Sequence, residues 1–389
     1  MQTIPSTEAH VVVIGGGVVR LSIAAQLSER GAGKVVVTEA GKIGAGSSAK
    51  PIGGFRAQFS DETNILLGLR SMTDYLLRFP DRYGVEIGAN TCGYLFLITR
   101  DADVAAYERA TEVQRSLGVD SAMVDADRVH SLNPLVPASA VLAGQFSPSA
   151  GTALPSRIVE GFRRRAVDHG AVIIEDSPVT GIEAIGHGAA VVHSPAGAIR
   201  TSAVVIAAGA WSGEVGRLVD VSLPVTPLRR QLGFTAPGLG PFPSIPFTLD
   251  AETTAYFHNG AEGSLLLGLA DPTQQPGYGR DYDETWLALF RAAAARIAPA
   301  LQDAPTHRGW AGLYEMTPDA NALIGETDEP GFRVLYATGF SGHGVLQSPA
   351  VGEVVADLYE GRKPFVDVSR FSASRFRGGG VIERELAVI

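Results

Sequence analysis

The sequence predicts a two-domain chain of mixed α and β structure, α/β in one part and α+β overall. A Rossmann-like domain with a parallel core is joined to a discontinuous second domain built on an antiparallel sheet. Three observations carry this. Residues 11–27, VVVIGGGVVRLSIAAQL, pass from a β-branched run through a glycine turn into helical spacing, and KVVVTEA then supplies a second buried strand. From CGYLFLIT onward, strand-like segments at 94–99, 230–235, 254–258 and 264–269 alternate with helices such as VAAYERATEVQRSL and DETWLALFRAAAARI, as antiparallel sheets do. The first pattern then returns in AVIIEDSPVTGIEAI, AVVIAAGAWSGEVGRL and VLYATGFSGHGVLQSPAVGEVVADLYEG. The expected division is therefore 8–87, 153–222 and 307–370 for the first domain, 88–152 and 223–306 for the second, and 371–389 for a C-terminal tail.

The elements follow from local chemistry. HVVVIGGG reads as a strand, and VRLSIAAQLSERG as a helix stopped by Gly31. After the second strand comes GKIGAGSSAKPIGGFRAQF, too irregular for an element and long enough to suggest a functional loop. ETNILLGLRSMTDYLLRF reads as the next helix. With 389 residues the chain can bury a substantial core. Its 41 acidic against 32 basic residues, a net charge of -9, argue against a nucleic-acid partner. The single cysteine, Cys92, excludes an intramolecular disulfide and any multi-cysteine metal site, and its setting reads as a small buried residue. MQTIPSTEAH lacks the regions of a signal peptide, and no apolar run reaches the length of a membrane span. The expectation is a soluble, cytoplasmic chain with no membrane partner.

A glycine turn opening a helix aims backbone N–H groups and the positive end of the helix dipole at one point, where a phosphate binds well. Gly15 makes the tight turn, Gly17 lets a pyrophosphate approach the backbone, and Glu39, 24 positions after Gly15, sits where a carboxylate meets a ribose. The third glycine of this motif is replaced by Arg20. Three readings of Arg20 compete: tolerated strain, an added phosphate contact, or loss of tight cofactor binding. Toleration is favoured, because the rest of the apparatus is present.

Several of these segments in this order resemble the D-amino-acid oxidase superfamily of FAD enzymes. Within it they are most similar to the branch holding sarcosine oxidase, dimethylglycine dehydrogenase, glycine oxidase and the amine-oxidising subunit of hydrogen cyanide synthase. The matching residues are VVVIGGGVV…LSIAAQL, VVVTEAGKIGAGSSAKPIGGFRAQF, SPVTGI, VVIAAGAWS, PLRRQ, RGWAGLYEMTPDANALIG and ATGFSGHGVLQSPAVGEVVADL, which cover nearly the whole chain. The resemblance implies an extended, non-covalent FAD lying between the two domains. It places Gly15, Gly17, Val18 and Val19 at the pyrophosphate and Glu39 at the adenosine ribose, with Ala40 also among the cofactor-binding residues. Ser47 and Ser48 fall near the phosphates and ribityl chain, Val179 at the adenine end, and Ala208, Gly209 and Trp211 beside the cofactor. Gly342, His343, Gly344 and Val345 approach the pyrimidine edge of the flavin, where a helix beginning at about Gly344 would stabilise a reduced, anionic ring.

For substrate chemistry the candidates are Arg56, His343, Tyr314 and Tyr256, with Arg56 able to clamp a carboxylate or meet the flavin face. Family lysines that promote oxygen reaction and bind the substrate carboxylate are replaced by Leu266 and Leu346, and the flavin-tethering cysteine by Gly312. The implied reaction is oxidation of a C–N bond in a secondary, tertiary or cyclic amino acid by hydride transfer to flavin N5, giving an imine that hydrolyses. Oxygen or another acceptor would reoxidise the flavin, and the pattern leaves room for a partner subunit. The alternatives are a primary amino-acid oxidase acting on glycine or a D-amino acid, and a non-catalytic or degenerate FAD-binding subunit. An NAD-dependent dehydrogenase leaves the C-terminal glycine turn unexplained. FRRRAV and the terminal ERELAVI read as solvated.

Overall fold

Strand β1 (Glu8–Ile14), helix α1 (Val18–Glu29) and strand β2 (Val35–Thr38) form the βαβ unit the sequence announces. Val11, Val12 and Val13 of β1 and Val35, Val36 and Val37 of β2 are all buried, so both faces of these strands are covered, as a parallel sheet requires. β1 pairs in parallel with β2 on one side and with the strand Gly197–Ile206 on the other. The order across the main path runs Leu323–Thr327, Arg333–Thr338, Gly197–Ile206, β1, β2, Val172–Ile174. The winding reverses at β1, and the crevice beyond the carboxyl end of such a strand is where open α/β sheets bind ligands. The computed structural model describes residues 7–236, 240, 242–377 and 383–386.

The second sheet has the order Thr306–Met316, Thr226–Thr235, Leu265–Leu269, Tyr256–Asn259, Phe247–Asp250, Tyr94–Ile98, Ala143–Ser147, Ala122–Asp125. Its neighbours are antiparallel except for Phe247–Asp250 against Tyr94–Ile98, which run parallel. That exception sits where two separate visits of the chain to this sheet meet, so no hairpin sets the strand direction there. The strand Thr306–Met316 straddles the expected 306/307 boundary and pairs along its length with Thr226–Thr235 of the second sheet. The long loop after β2 contains a single helical turn, Ser47–Ala49, and a two-residue strand, Gly54–Phe55, paired with Gly151–Thr152.

Within the C-terminal segment the structure departs from the expectation of a solvated ERELAVI. Glu385 is 2% exposed. Its carboxylate accepts hydrogen bonds from Ser60 N and Oγ (2.9 and 2.8 Å), Asp61 N (3.1 Å) and Asn64 Nδ2 (3.0 Å). The reason is long-range: the start of the helix Glu62–Asp74 offers donors that no local pattern in the tail foretells. The remainder of 378–389, apart from 383–386, lies outside the described residues.

Candidate active site

A cavity of about 840 Å³ runs from the β1–α1 turn across the carboxyl ends of the first sheet to the inner face of the second. One end is built by the glycine turn. Gly15 has φ +111°, and its N–H donates to Thr38 O at 2.7 Å, which ties the turn to β2. Glu39, just past β2, accepts from Gly16 N at 2.5 Å and Gly41 N at 2.9 Å, so its carboxylate is held at the mouth of the turn. Ser48 Oγ accepts from Val18 N at 2.8 Å and so caps α1 from the long loop. Ser47 Oγ donates to Leu313 O at 2.6 Å, and Trp310 Nε1 donates to Lys50 O at 2.9 Å, fastening that loop to the second sheet. Val179 and Ala40 line this end, while Ala208, Gly209 and Trp211 line the middle; Trp211 stacks on Tyr278 with ring centres 5.4 Å apart.

The far end is formed where the strand Arg333–Thr338 turns into the helix Gly344–Tyr359. Gly342 has φ +102°, and a β-carbon there would stand 2.5 Å from the Tyr314 ring. His343, 6% exposed, lies 3.4 Å by Nε2 from Arg56 Nη2 and meets Phe59 edge-on at 4.8 Å. A guanidinium can only donate, so in this contact Nε2 is the acceptor. Arg56 is 2% exposed; it also donates to Gln58 O and packs over the rings of Phe59 (4.2 Å), Phe96 (5.3 Å) and Tyr94 (5.4 Å). Tyr94, Tyr256 and Tyr314 line the same end, and burial pushes all three phenols up, leaving them hydrogen-bond donors at ordinary pH.

The structure therefore brings every sequence-proposed residue, from Gly15, Gly17, Val18, Val19 and Glu39 to Gly342, His343, Gly344 and Val345, onto one cavity together with Arg56, Tyr256 and Tyr314. Leu346 also lines it, whereas Leu266 is buried in the core. Over Gly312 the space is taken by Lys50, whose Cβ would lie 2.9 Å from a β-carbon at 312. Sequence reasoning passed over Arg230. It lies opposite Gly312 in the sheet, and its guanidinium is 5.4 Å from the Tyr314 ring. Arg230 Nη1 donates to Arg229 O at 3.2 Å, but its Nε is buried without a hydrogen-bond partner. Desolvation by burial lowers its pKa, against the opposing pull of Tyr314, Tyr256 and Asp271. Strand alternation gave Arg230 two faces to choose from, and in the sheet it takes the one that lines the cavity.

The FAD-dependent oxidoreductase (DAO) family model matches residues 10–358. This chain belongs to that family. FAD-dependent oxidoreductase domain-containing protein 1 of Xenopus laevis is 30% identical over 96% of this chain and 83% of its own length. Glycine oxidase of Geobacillus kaustophilus (strain HTA426) is 27% identical over 95% of this chain and 97% of its own. Among solved structures, L-proline dehydrogenase from P. horikoshii superposes with a TM-score of 0.88 at 31% identity, covering 96% of this chain and 99% of that one. The family's chemistry is FAD-dependent oxidation of amino acids or amines.

The cavity fits FAD. Gly17 and the N-terminus of α1 would cradle its diphosphate, the Glu39 carboxylate at the mouth of the turn would meet a ribose, and the N-terminus of the helix Gly344–Tyr359 faces the other end of the cavity. One side chain stands in that cradle. Arg20, in the first turn of α1, extends along the glycine turn, and its Nε is buried without a partner. Among the described residues there is no group of three or more His, Cys, Asp or Glu that could hold a metal ion, and no helix long and apolar enough to cross a membrane.

Proposed function

We propose that the chain oxidises the C–N bond of a secondary, tertiary or cyclic amino acid, with Arg230 as the carboxylate anchor. The observation that carries this is the Arg230 guanidinium, half-buried in the cavity with an unpartnered Nε, beside Tyr256 and Tyr314. A desolvated cation with a free donor favours an anion, and a carboxylate meets the guanidinium fork two-pronged. Arg56 is committed to Gln58 O, His343 and three aromatic rings. These partners suit it to hold His343 at the helix N-terminus, in place of the clamping role expected from sequence alone.

FAD, held without a covalent bond, supplies the electron acceptor. The side chains of the chain do the positioning. Two guanidinium groups make the far end positive, which favours the neutral, reactive form of the substrate amine. Tyr94, Tyr256 and Tyr314 offer aromatic walls with donor hydroxyls, while Leu232, Trp310 and Leu346 add apolar surface that suits N-alkyl groups or a ring. Loss of a hydride from the neutral amine leaves an iminium without prior removal of a proton, so no strong protein base is required, and water then hydrolyses the product. The likeness to an L-proline dehydrogenase supports the cyclic case.

Anaerobic mixing of the flavin-loaded protein with L-proline, N-methylglycine, N,N-dimethylglycine, glycine and D-alanine tests the reading. Bleaching of the flavin by the N-substituted or cyclic compounds supports it. Bleaching by glycine or D-alanine alone would establish the primary amino-acid alternative, and no bleaching by any of them would leave a non-catalytic FAD-binding subunit.

A further inference from the structure

We propose that Arg20 is a direct ligand of the FAD diphosphate, a cation installed in the cradle where the motif otherwise keeps a third glycine. The geometry points there. A β-carbon on Gly15 would stand 2.6 Å from Arg20 Nε, one on Gly209 2.6 Å from Nη2, and one on Gly17 would overlap Nη1. The guanidinium thus bridges the β1–α1 turn and the turn after Gly197–Ile206, across the floor that Gly17 leaves bare.

In that place the group is poorly served by the protein itself. It lies at the amino end of α1, where the helix dipole repels a cation. Its Nε–H is buried without an acceptor. Burial lowers its pKa, and the carboxylates of Glu315 and Glu39 act on it in the opposite sense. Neither carboxylate hydrogen-bonds to it: Glu315 accepts from Thr338 Oγ1 at 3.0 Å, and Glu39 accepts from Gly16 and Gly41. A half-buried cation whose Nε is shut off from both water and acceptors is costly unless an anion completes it.

A diphosphate answers all three deficits. Its charge opposes both the dipole and the guanidinium, and its oxygens accept the free N–H. The diphosphate and the guanidinium cannot share one volume, so the side chain rotates off the cradle floor and flanks the phosphates. The length of an arginine permits this while α1 stays packed, its buried face from Val18 to Ser28 being apolar apart from Ser22, Gln26 and Ser28.

This inference rests on the FAD chemistry of the family and is independent of which amine is oxidised. The test is flavin binding by the full chain, stripped of FAD and titrated with FAD at low and high salt, following quenching of flavin fluorescence. Wild-type affinity should fall with salt, and Arg20→Met should bind FAD about 10- to 100-fold more weakly with a flatter salt dependence. Arg20→Lys should retain part of both. A Met variant that binds as tightly as wild type or more tightly, with an unchanged salt slope, would overturn the proposal and make Arg20 an obstruction. Wild-type protein gives a second reading should the Met variant fail to fold. ADP should bind the stripped protein in a salt-sensitive way and adenosine should not; equal, salt-insensitive binding of the two would also overturn it.

Discussion

His258 provides a measurable link between burial and pH. It lies in the strand Tyr256–Asn259, 6% exposed, with its ring stacked on Phe247 at 4.9 Å. Nδ1 is 2.8 Å from Asn259 O, and Nε2 is buried without a partner. Burial dominates and pushes its pKa down to about 4 from 6.5, while the nearby backbone of Asn259 and Ile52 opposes the shift weakly. In the folded protein the ring therefore stays neutral while the unfolded chain takes up a proton at higher pH. Stability falls as pH drops through 6.5 toward 4 and levels off below that. The shift from 6.5 to about 4 is worth about 3 kcal/mol in full, of which about 2 kcal/mol is lost between about pH 8 and about pH 5. His258→Phe keeps the stacking and removes the titration. Urea unfolding of both proteins at the two pH values isolates the effect, because every other titrating group cancels in the double difference. The variant should lose about 2 kcal/mol less than wild type on acidification. Equal losses would show that the ring is hydrated or charged in the fold, and the argument from burial would fail.

Three further outcomes follow from the cavity and its supports. Arg230→Met should lower kcat/KM for amino-acid substrates by about 10²- to 10³-fold while leaving the corresponding amines without a carboxylate little changed, as steady-state assays on both series would show. Gly342→Ala forces an L-residue to φ +102° and drives a methyl into Tyr314. It should cost about 2 kcal/mol of stability, read by denaturant melts, and slow flavin reduction more than it weakens FAD retention. Glu385→Ala leaves the donors of Ser60, Asp61 and Asn64 without their acceptor. It should destabilise the protein by about 1–3 kcal/mol, with the helix Glu62–Asp74 showing the largest gain in hydrogen exchange.

The sequence by itself determined the local devices. The strand, glycine turn and helix of residues 8–29, the carboxylate at Glu39 and the G-F-S-G-H-G turn before the helix Gly344–Tyr359 were all legible. Each lies within one turn or one βαβ unit, so the spacing alone specifies the chemistry. The alternation of strand and turn likewise foretold a second sheet.

Tertiary structure decided what depends on pairing between distant segments. Arg230 lines the cavity from a strand whose neighbour, with Gly312 opposite it, comes 82 residues later in the chain. The parallel neighbours Tyr94–Ile98 and Phe247–Asp250, the anchoring of Glu385 on the start of a helix more than 300 residues earlier, and the course of Arg20 over Gly17 and Gly209 are of the same kind. A strand offers two faces and a long side chain many rotamers, and local sequence ranks them weakly. Burial chooses among them only when the whole chain has closed around the site.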